Sequence, residues 1–435
     1  MTQRGSRNLY LVLIVAFHLL LLANIQFTPW PELHLWPYLM DNGYKIYQDF
    51  AFEKPPLLPV ILWFWTKLAG INLISLKLLT WTTIVSVDIF VYKVARKVYP
   101  QGNFRPLIAL AIYVLLMTSF DGNALWFDLL ITLFFLLILI SIQTKKIVLA
   151  GFFLSLALLT KQNSIIILPA LIIAGQAVNL SKQKHFLLNV AKGAFPALGI
   201  SAAMLFLTGV LDDAIIWIFK FPPTLVTYSF QSPTLKFAGI LTVITYLLLF
   251  LSPTRTIAIW GLTGLAFIYP RFELFHIQPA LPFVALALAR YEKFRTSPLL
   301  LVCTIIIIAY SSIHILHNWR KPDRFYEDST IATVEWLKSN TDRGEKIYLL
   351  NTWDHIYVLS NTIPSIKPWF HYLPWYLNYN GVQQSIISNL KNNPPRLILS
   401  ENISAPPETD IEKFVMANFL PTSVLNERFT LWQPK

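Results

Sequence analysis

The sequence predicts an all-α polytopic membrane protein of about eleven transmembrane helices with a small C-terminal extracytoplasmic α/β domain. Three observations predict it. Of the 435 residues, 55% are hydrophobic and only 13% charged, where a soluble domain carries about 25% charged residues. Long apolar runs alternate with short basic loops. The charge is also unevenly placed: residues 1–318 hold 23 Lys/Arg against 11 Asp/Glu, and the rest of the chain balances 12 against 12. The whole excess of +12 therefore belongs to the apolar part, where it reports topology and contact with membrane lipids rather than nucleic acid. A transmembrane domain over 1–316 and a soluble domain over 317–435 follow.

Each element can be justified in turn. The first apolar run, 9–25, follows Arg4 and Arg7 and lacks a small-residue cleavage site, so it reads as a retained helix. Cys303 is the only cysteine, which excludes an internal disulfide. Basic clusters mark cytoplasmic loops at Lys93/Arg96/Lys97/Arg105, Lys145/Lys146, Lys182/Lys184/Lys192, Arg255 and Arg290/Lys293/Arg295. Joining them needs crossings near 8–26, 72–95, 104–120, 125–143, 147–160, 163–179, 193–210, 237–252, 256–270, 275–290 and 298–316. This threading leaves the N-terminus inside the plasma (inner) membrane and the C-terminal domain outside it.

One apolar run does not fit as a crossing. "PPLLPVILWFWTKLA", 55–69, reaches about 22 Å as a helix, against a hydrocarbon core of about 30 Å. Its Trp63, Phe64 and Trp65 suit a helix lying along the outer leaflet. The charged stretch before it, "NGYKIYQDFAFEK", is then an extracytoplasmic loop. Nine of the eleven carboxylates in 1–318 fall at outer ends under this threading, all but Asp88 and Glu292. An acid-lined external cavity explains that concentration better than scattered loop charge.

Three further stretches carry chemistry. Lys161, in "LALLTKQNSIIILPAL", sits at the outer turn of a helical hairpin, where a cation needs a partner or must snorkel to the surface. "YPRFELFHIQPALPF" places Arg271 and His276 at the outer entry of another crossing. A guanidinium fork suits phosphate oxygens, although Arg271 could equally pair with Glu273. "SFDGNALWFDLL" adds Asp121 and Asp128. Asp121 is as readily a helix cap as a functional acid, whereas Asp128 lies too far into the apolar run to cap. Carboxylates on two outer loops, with Lys54, Lys161, Arg271 and His276, are what sugar transfer from a lipid phosphate requires. Cations stabilise the departing phosphate, and a carboxylate takes the proton of the attacking hydroxyl. Direct displacement then inverts the anomeric centre.

The ordered set "YxDF…EKPPLLP", "GNALWFDLL", "LLTKQNSIIILPAL" and "RFELFHIQPALPF" resembles the C-type glycosyltransferase superfold over most of 8–290. Within it the chain is similar to the bacterial branch related to protein O-mannosyltransferases and lipid A aminoarabinose transferase. The resemblance implies a catalytic acid in the first outer loop, here Asp49 or Glu32, with "PWPELHLWPY" offering a single acid where some members have an Asp-Glu pair. It places Lys77 where the family has an Arg, and it gives Lys161 and the Arg271/His276 motif the lipid phosphate. No metal site carries over, although an acid pair could hold a divalent ion. The implied partners are a polyprenyl-phosphate-linked sugar donor and a lipid, glycan or protein acceptor. The tail also resembles the family's: "STIATVEWLKSN" and "QQSIISNLKNN" read as helices, "EKIYLLN" and "PRLILS" as buried strands. The main rival is a transporter or flippase of a lipid-linked sugar, which calls for midplane charges and repeated halves. Here Asp88 is the one clear midplane acid, and no internal repeat is visible.

Overall fold

The computed structural model describes residues 3–100, 104–179, 185–224, 233–290, 298–401 and 407–435. Lys182, Lys184, Glu292, Lys293 and Arg295 lie outside the described residues. The chain forms two compact units. One comprises Met1–Thr28, Leu76–Met204 and Gln231–Lys321; the other comprises Pro29–Ser75, Leu205–Phe230 and Pro322–Lys435. The division therefore differs from the one expected at 316/317, because two earlier segments belong with the C-terminal region.

The apolar part is helical and multi-pass. Among the described residues four helices are long and apolar enough to cross a membrane, over Arg7–Asn24, Leu73–Val98, Phe186–Leu207 and Leu301–Asn318. This corrects the expectation of about eleven. Helices do form at the other expected crossings, but they are short. Even the 17-residue Phe127–Gln143 helix rises only about 25 Å, less than the core thickness of about 30 Å. Two apolar runs are also broken. Lys161 adopts extended backbone (φ −153°, ψ 118°), and the chain continues through the turn Gln162–Ile166 before resuming as Ile167–Ala177. After Arg255–Leu265 the chain passes through the turns Ala266–Ile268 and Leu274–Ala280 before Leu281–Leu288. Pro279 lies in the second turn, where its missing N–H and fixed φ oppose a continuous helix.

Close packing fixes the first unit. The helices Phe127–Gln143 and Ile147–Thr160 pair as a hairpin, with Leu129, Ile131, Phe135 and Leu139 fully buried. Phe135 meets Trp260 edge-on at 5.2 Å between ring centroids. Ile147–Thr160 and Phe186–Leu207 touch backbone to backbone through glycine. A Cβ on Gly151 would lie 2.0 Å from the Val190 carbonyl oxygen, and one on Gly193 would lie 1.8 Å from that of Val148. Asn123 is a polar tie: its Nδ2 donates to the Leu22 and Ile25 carbonyls, each at 2.9 Å, and its Oδ1 accepts from Trp81 Nε1 at 3.0 Å.

The second unit is built on a five-stranded sheet of β1 (Lys346–Leu350), β2 (Ile363–Pro364), β3 (Ile398–Glu401), β4 (Phe419–Leu425) and β5 (Phe429–Pro434), in the order β2-β1-β3-β5-β4. β1 runs parallel to β2 and β3, whereas β5 is antiparallel to β3 and β4. Buried β1 and β3 need cover, and helices Asp328–Asn340, Val382–Asn392 and Asp410–Asn418 occur between or beside them in the chain. The last begins in a capping box, Thr409 with Glu412, which satisfies two otherwise orphaned N–H groups. The loop around Asp49 joins this unit by backbone pairing. Ala51 N–H donates to the Trp369 carbonyl at 3.0 Å, and Trp369 N–H donates to that of Asp49 at 2.8 Å. Leu57–Ala69 is a 13-residue helix, too short to cross, as its length in the sequence indicated.

Candidate active site

In the first unit three of the anticipated residues meet. Asp128 opens the helix Phe127–Gln143 and is fully buried. Lys161 caps the end of the paired helix Ile147–Thr160, and the short turn Leu274–Ala280 delivers His276. Lys161 Nζ lies 3.0 and 3.2 Å from the two Asp128 carboxylate oxygens. His276 Nδ1 lies 2.9 Å from Asp128 Oδ2 and 3.4 Å from Lys161 Nζ. The helix hairpin and the turn thus bring the three together, and the extended backbone at Lys161 frees its side chain to turn inward. Lys161 does not snorkel. It is 8% exposed and rests 5.6 Å from the centroid of the Phe267 ring.

The group continues outward. His276 Nε2 is 3.9 Å from Glu273 Oε2, and Glu273 Oε1 accepts from Arg271 Nη2 at 2.5 Å. A chain of paired polar side chains therefore runs from buried Asp128 to Arg271, whose side chain is 37% exposed, more open than Lys161 or His276. The expected alternative pairing of Arg271 with Glu273 is present. Trp126 rather than Asp121 precedes the Phe127–Gln143 helix, whose start carries no side-chain cap, and the Asp121 carbonyl accepts from Gln278 Nε2 at 3.3 Å. The capping role considered for Asp121 is therefore not the one it plays. Lys77 Nζ lies over the Phe27 ring at 5.5 Å.

In the second unit the first-loop acids have three different surroundings. Asp49 Oδ2 accepts from the Lys45 backbone N–H at 2.9 Å and pairs with Lys367 Nζ at 3.0 Å. These contacts tie its carboxylate to the loop backbone and to the C-terminal region. Glu32 lies in the first turn of the helix Pro31–Asp41, half-buried, and its Oε2 is out of solvent with no hydrogen-bond partner among the described residues. Burial raises the Glu32 pKa, an effect opposed mainly by the positive charge of His371. Glu53 pairs with Lys54 and accepts from the Tyr376 hydroxyl. Burial alone would push the Glu53 carboxyl up, but the Lys54 ammonium and the hydrogen bonds from Lys54 and Tyr376 outweigh it and hold the pKa at about 2.

His371 and Tyr376 come from the C-terminal region and were not among the residues the sequence singled out. His371 Nδ1 lies 2.7 Å from Asp354 Oδ2, and its ring stands 4.4 Å from Trp369 and 5.7 Å from Tyr376. Burial disfavours its charge, but Asp354 foremost, with Glu32 and Glu53, raises its pKa. The only signal in the sequence was the dense aromatic run "KPWFHYLPWY" around the histidine. Among the described residues no group of three or more His, Cys, Asp or Glu is arranged to hold a metal ion.

Comparison with known proteins places this geometry in a fold. Residues 53–209 match the family model described as dolichyl-phosphate-mannose-protein mannosyltransferase. ArnT from Cupriavidus metallidurans bound to undecaprenyl phosphate is similar over 97% of both chains, with a TM-score of 0.61 at 13% identity. Its apo state gives 0.58 at 12% identity over 98% of both chains. An Archaeoglobus fulgidus oligosaccharyltransferase tethered with an acceptor peptide containing the NVT sequon gives 0.53 at 11% identity, over 90% of this chain and 69% of the other. No curated protein sequence matches. The chain has the fold of these proteins.

Proposed function

We propose that this chain, with its C-type glycosyltransferase fold, is an inverting glycosyltransferase. It moves a sugar from a polyprenyl-phosphate donor to an acceptor hydroxyl of a lipid, glycan or protein at the extracytoplasmic face of the plasma (inner) membrane. The observation that carries this reading is the chain of paired polar side chains Asp128–Lys161–His276–Glu273–Arg271. It grades from fully buried to open to solvent, as expected where an anionic headgroup is received at the rim of an apolar bundle. The similar ArnT structure is bound to undecaprenyl phosphate, and the matched family model is named for a lipid-phosphate sugar donor.

The roles follow from exposure and charge. Arg271 meets the donor phosphate with its planar fork, Lys161, held by Asp128, supplies positive potential behind it, and His276 adds a ring nitrogen for hydrogen bonding. Lys54, which pairs with Glu53, is the phosphate-binding candidate of the second unit. Breaking the bond between the anomeric carbon and the phosphate oxygen leaves charge on that oxygen, and fixed cations lower the barrier without reorganising. The acceptor hydroxyl attacks from the opposite face and gives its proton to a carboxylate. Glu32 suits that task better than Asp49, because its carboxyl keeps an unpartnered oxygen and a raised pKa.

Incubation of the purified protein with a panel of polyprenyl-phosphate sugars tests the proposal. Release of free polyprenyl phosphate with one donor is expected. Transport of the intact lipid-linked sugar across proteoliposomes, with no release, would favour the flippase reading instead.

A further inference from the structure

The end of the helix hairpin away from Asp128 carries a second feature. Phe127–Gln143 has Asp128 at its start, so its last residues lie about 22 Å further along the helix axis. There a cavity of about 710 Å³ opens between the helices Ile147–Thr160 and Phe186–Leu207. Lys145, Lys146 and Lys192 ring it together with Asn189, and no carboxylate is among the described residues that line it. Its walls are apolar: Val148, Leu149 and Phe152 on one helix, Gly193 and Pro196 on the other. The glycine contact described above brings the two backbones together at this level, so the cavity is walled by the crossing itself.

We propose that this cavity is a binding site for one anionic phospholipid, at the opposite membrane face from the Asp128 group. The chemistry is two-part, as the lining is. Three ammonium groups with no lining carboxylate attract a phosphodiester, and the apolar wall below them accepts the first methylenes of an acyl chain. The volume falls within the range of about 300–1,000 Å³ typical of small-molecule sites. Loop lysines that only set topology would need no apolar wall beside them. A free anion would leave that wall uncovered, and a zwitterionic lipid would leave the lysines unmatched.

Native mass spectrometry of the full-length protein in neutral detergent, with phosphatidylglycerol or phosphatidylcholine added, tests the site. One retained phosphatidylglycerol is expected and no retained phosphatidylcholine. A lysine near a membrane surface changes affinity for anionic lipid by about fivefold, so K145Q/K146Q/K192Q together should weaken retention about a hundredfold. Neutralising Lys93 and Lys97 instead should leave it unchanged. Leu149→Trp, which fills the wall and keeps every lysine, should also displace the lipid. The proposal is overturned if the triple variant retains phosphatidylglycerol like the wild type, if phosphatidylcholine is retained equally, or if millimolar inorganic phosphate displaces the lipid. Equal circular dichroism and melting temperature across the variants secure the comparison. Sugar transfer is not read out, so the result is independent of the proposed activity.

Discussion

A buried lysine deprived of its carboxylate is a costly change in the first unit. Asp128→Asn would leave Lys161 charged at 8% exposure without the carboxylate that stands 3.0 Å from its Nζ. Breaking a buried pair in this way costs about 3–5 kcal/mol, whereas replacing both partners by apolar groups of similar volume is often neutral. Asp128→Asn should therefore lower thermal stability sharply, and Asp128→Leu with Lys161→Met should recover most of the loss. A melting temperature unaffected by Asp128→Asn would show that the pair is not what orders this turn. Arg271 is different because it is open to solvent. Arg271→Ala should raise the donor KM by about tenfold to a hundredfold, in keeping with about 1.5–3 kcal/mol for a hydrogen bond to a charged group, while leaving the melting temperature alone. Glu53 sets an acid limit. Its pKa is depressed from 4.5 to about 2, so its contribution is complete above about 4.5 and is lost as pH falls towards 2. Glu53→Gln should flatten the acid limb of a stability–pH curve in that window. Glu32 is shifted the other way: a base must be ionised, and its pKa is raised, so turnover should fall on acidification already from above the usual carboxylate range. Glu32→Gln should reduce turnover by about 10²–10⁴-fold with donor binding retained, and Asp49→Asn should reduce it less. The reverse order of the two variants would return the base role to Asp49.

Among elements, the sequence was most informative where periodicity and length act alone. The apolar runs at 125–143 and 147–160 became helices almost at the expected residues, and "EKIYLLN" and "PRLILS" became β1 and β3. It was least informative where pairing is long-range. Nothing periodic in "YQDFAFEK" announces that Ala51 will exchange hydrogen bonds with Trp369, more than three hundred residues away. The β4–β5 hairpin was missed because its turn, 426–428, puts Asn426 and Glu427 at positive φ without the glycine that usually marks such a turn. Helix number was over-read because apolar composition was taken for length, and Lys161, Pro270 and Pro279 interrupt the runs. In the site, the Asp128–Lys161–His276 group was legible as three costly polar residues in apolar sequence, but their mutual contact was not. The glycine crossing makes an element-scale prediction. Gly193→Ala must displace the Val148 carbonyl and should destabilise by about 1–3 kcal/mol, whereas Gly199→Ala meets only the edge of the Phe195 ring at 3.9 Å and should be neutral or stabilising. Equal melting temperatures for the two would mean that the helices do not touch as described.

At the scale of the whole molecule, topology and chemistry depend on one another. Single cysteines at Asp49 and Arg271, in a Cys303→Ala background, should react with an impermeant thiol reagent from outside intact cells. Cysteines at Lys97 and Lys145 should be shielded until the membrane is opened. Labelling of position 97 from outside would invert the threading and move the acids to the wrong face. The central claim, however, is transfer from a lipid phosphate by direct displacement, and the configuration of the product reports on it without intermediaries. NMR of the glycosylated acceptor, formed by purified protein from a polyprenyl-phosphate sugar of known anomeric configuration, gives that answer. The account predicts a single product with the anomeric centre inverted, formed one for one with free polyprenyl phosphate. A product that keeps the donor's configuration, or consumption of donor with no sugar on the acceptor, would contradict it.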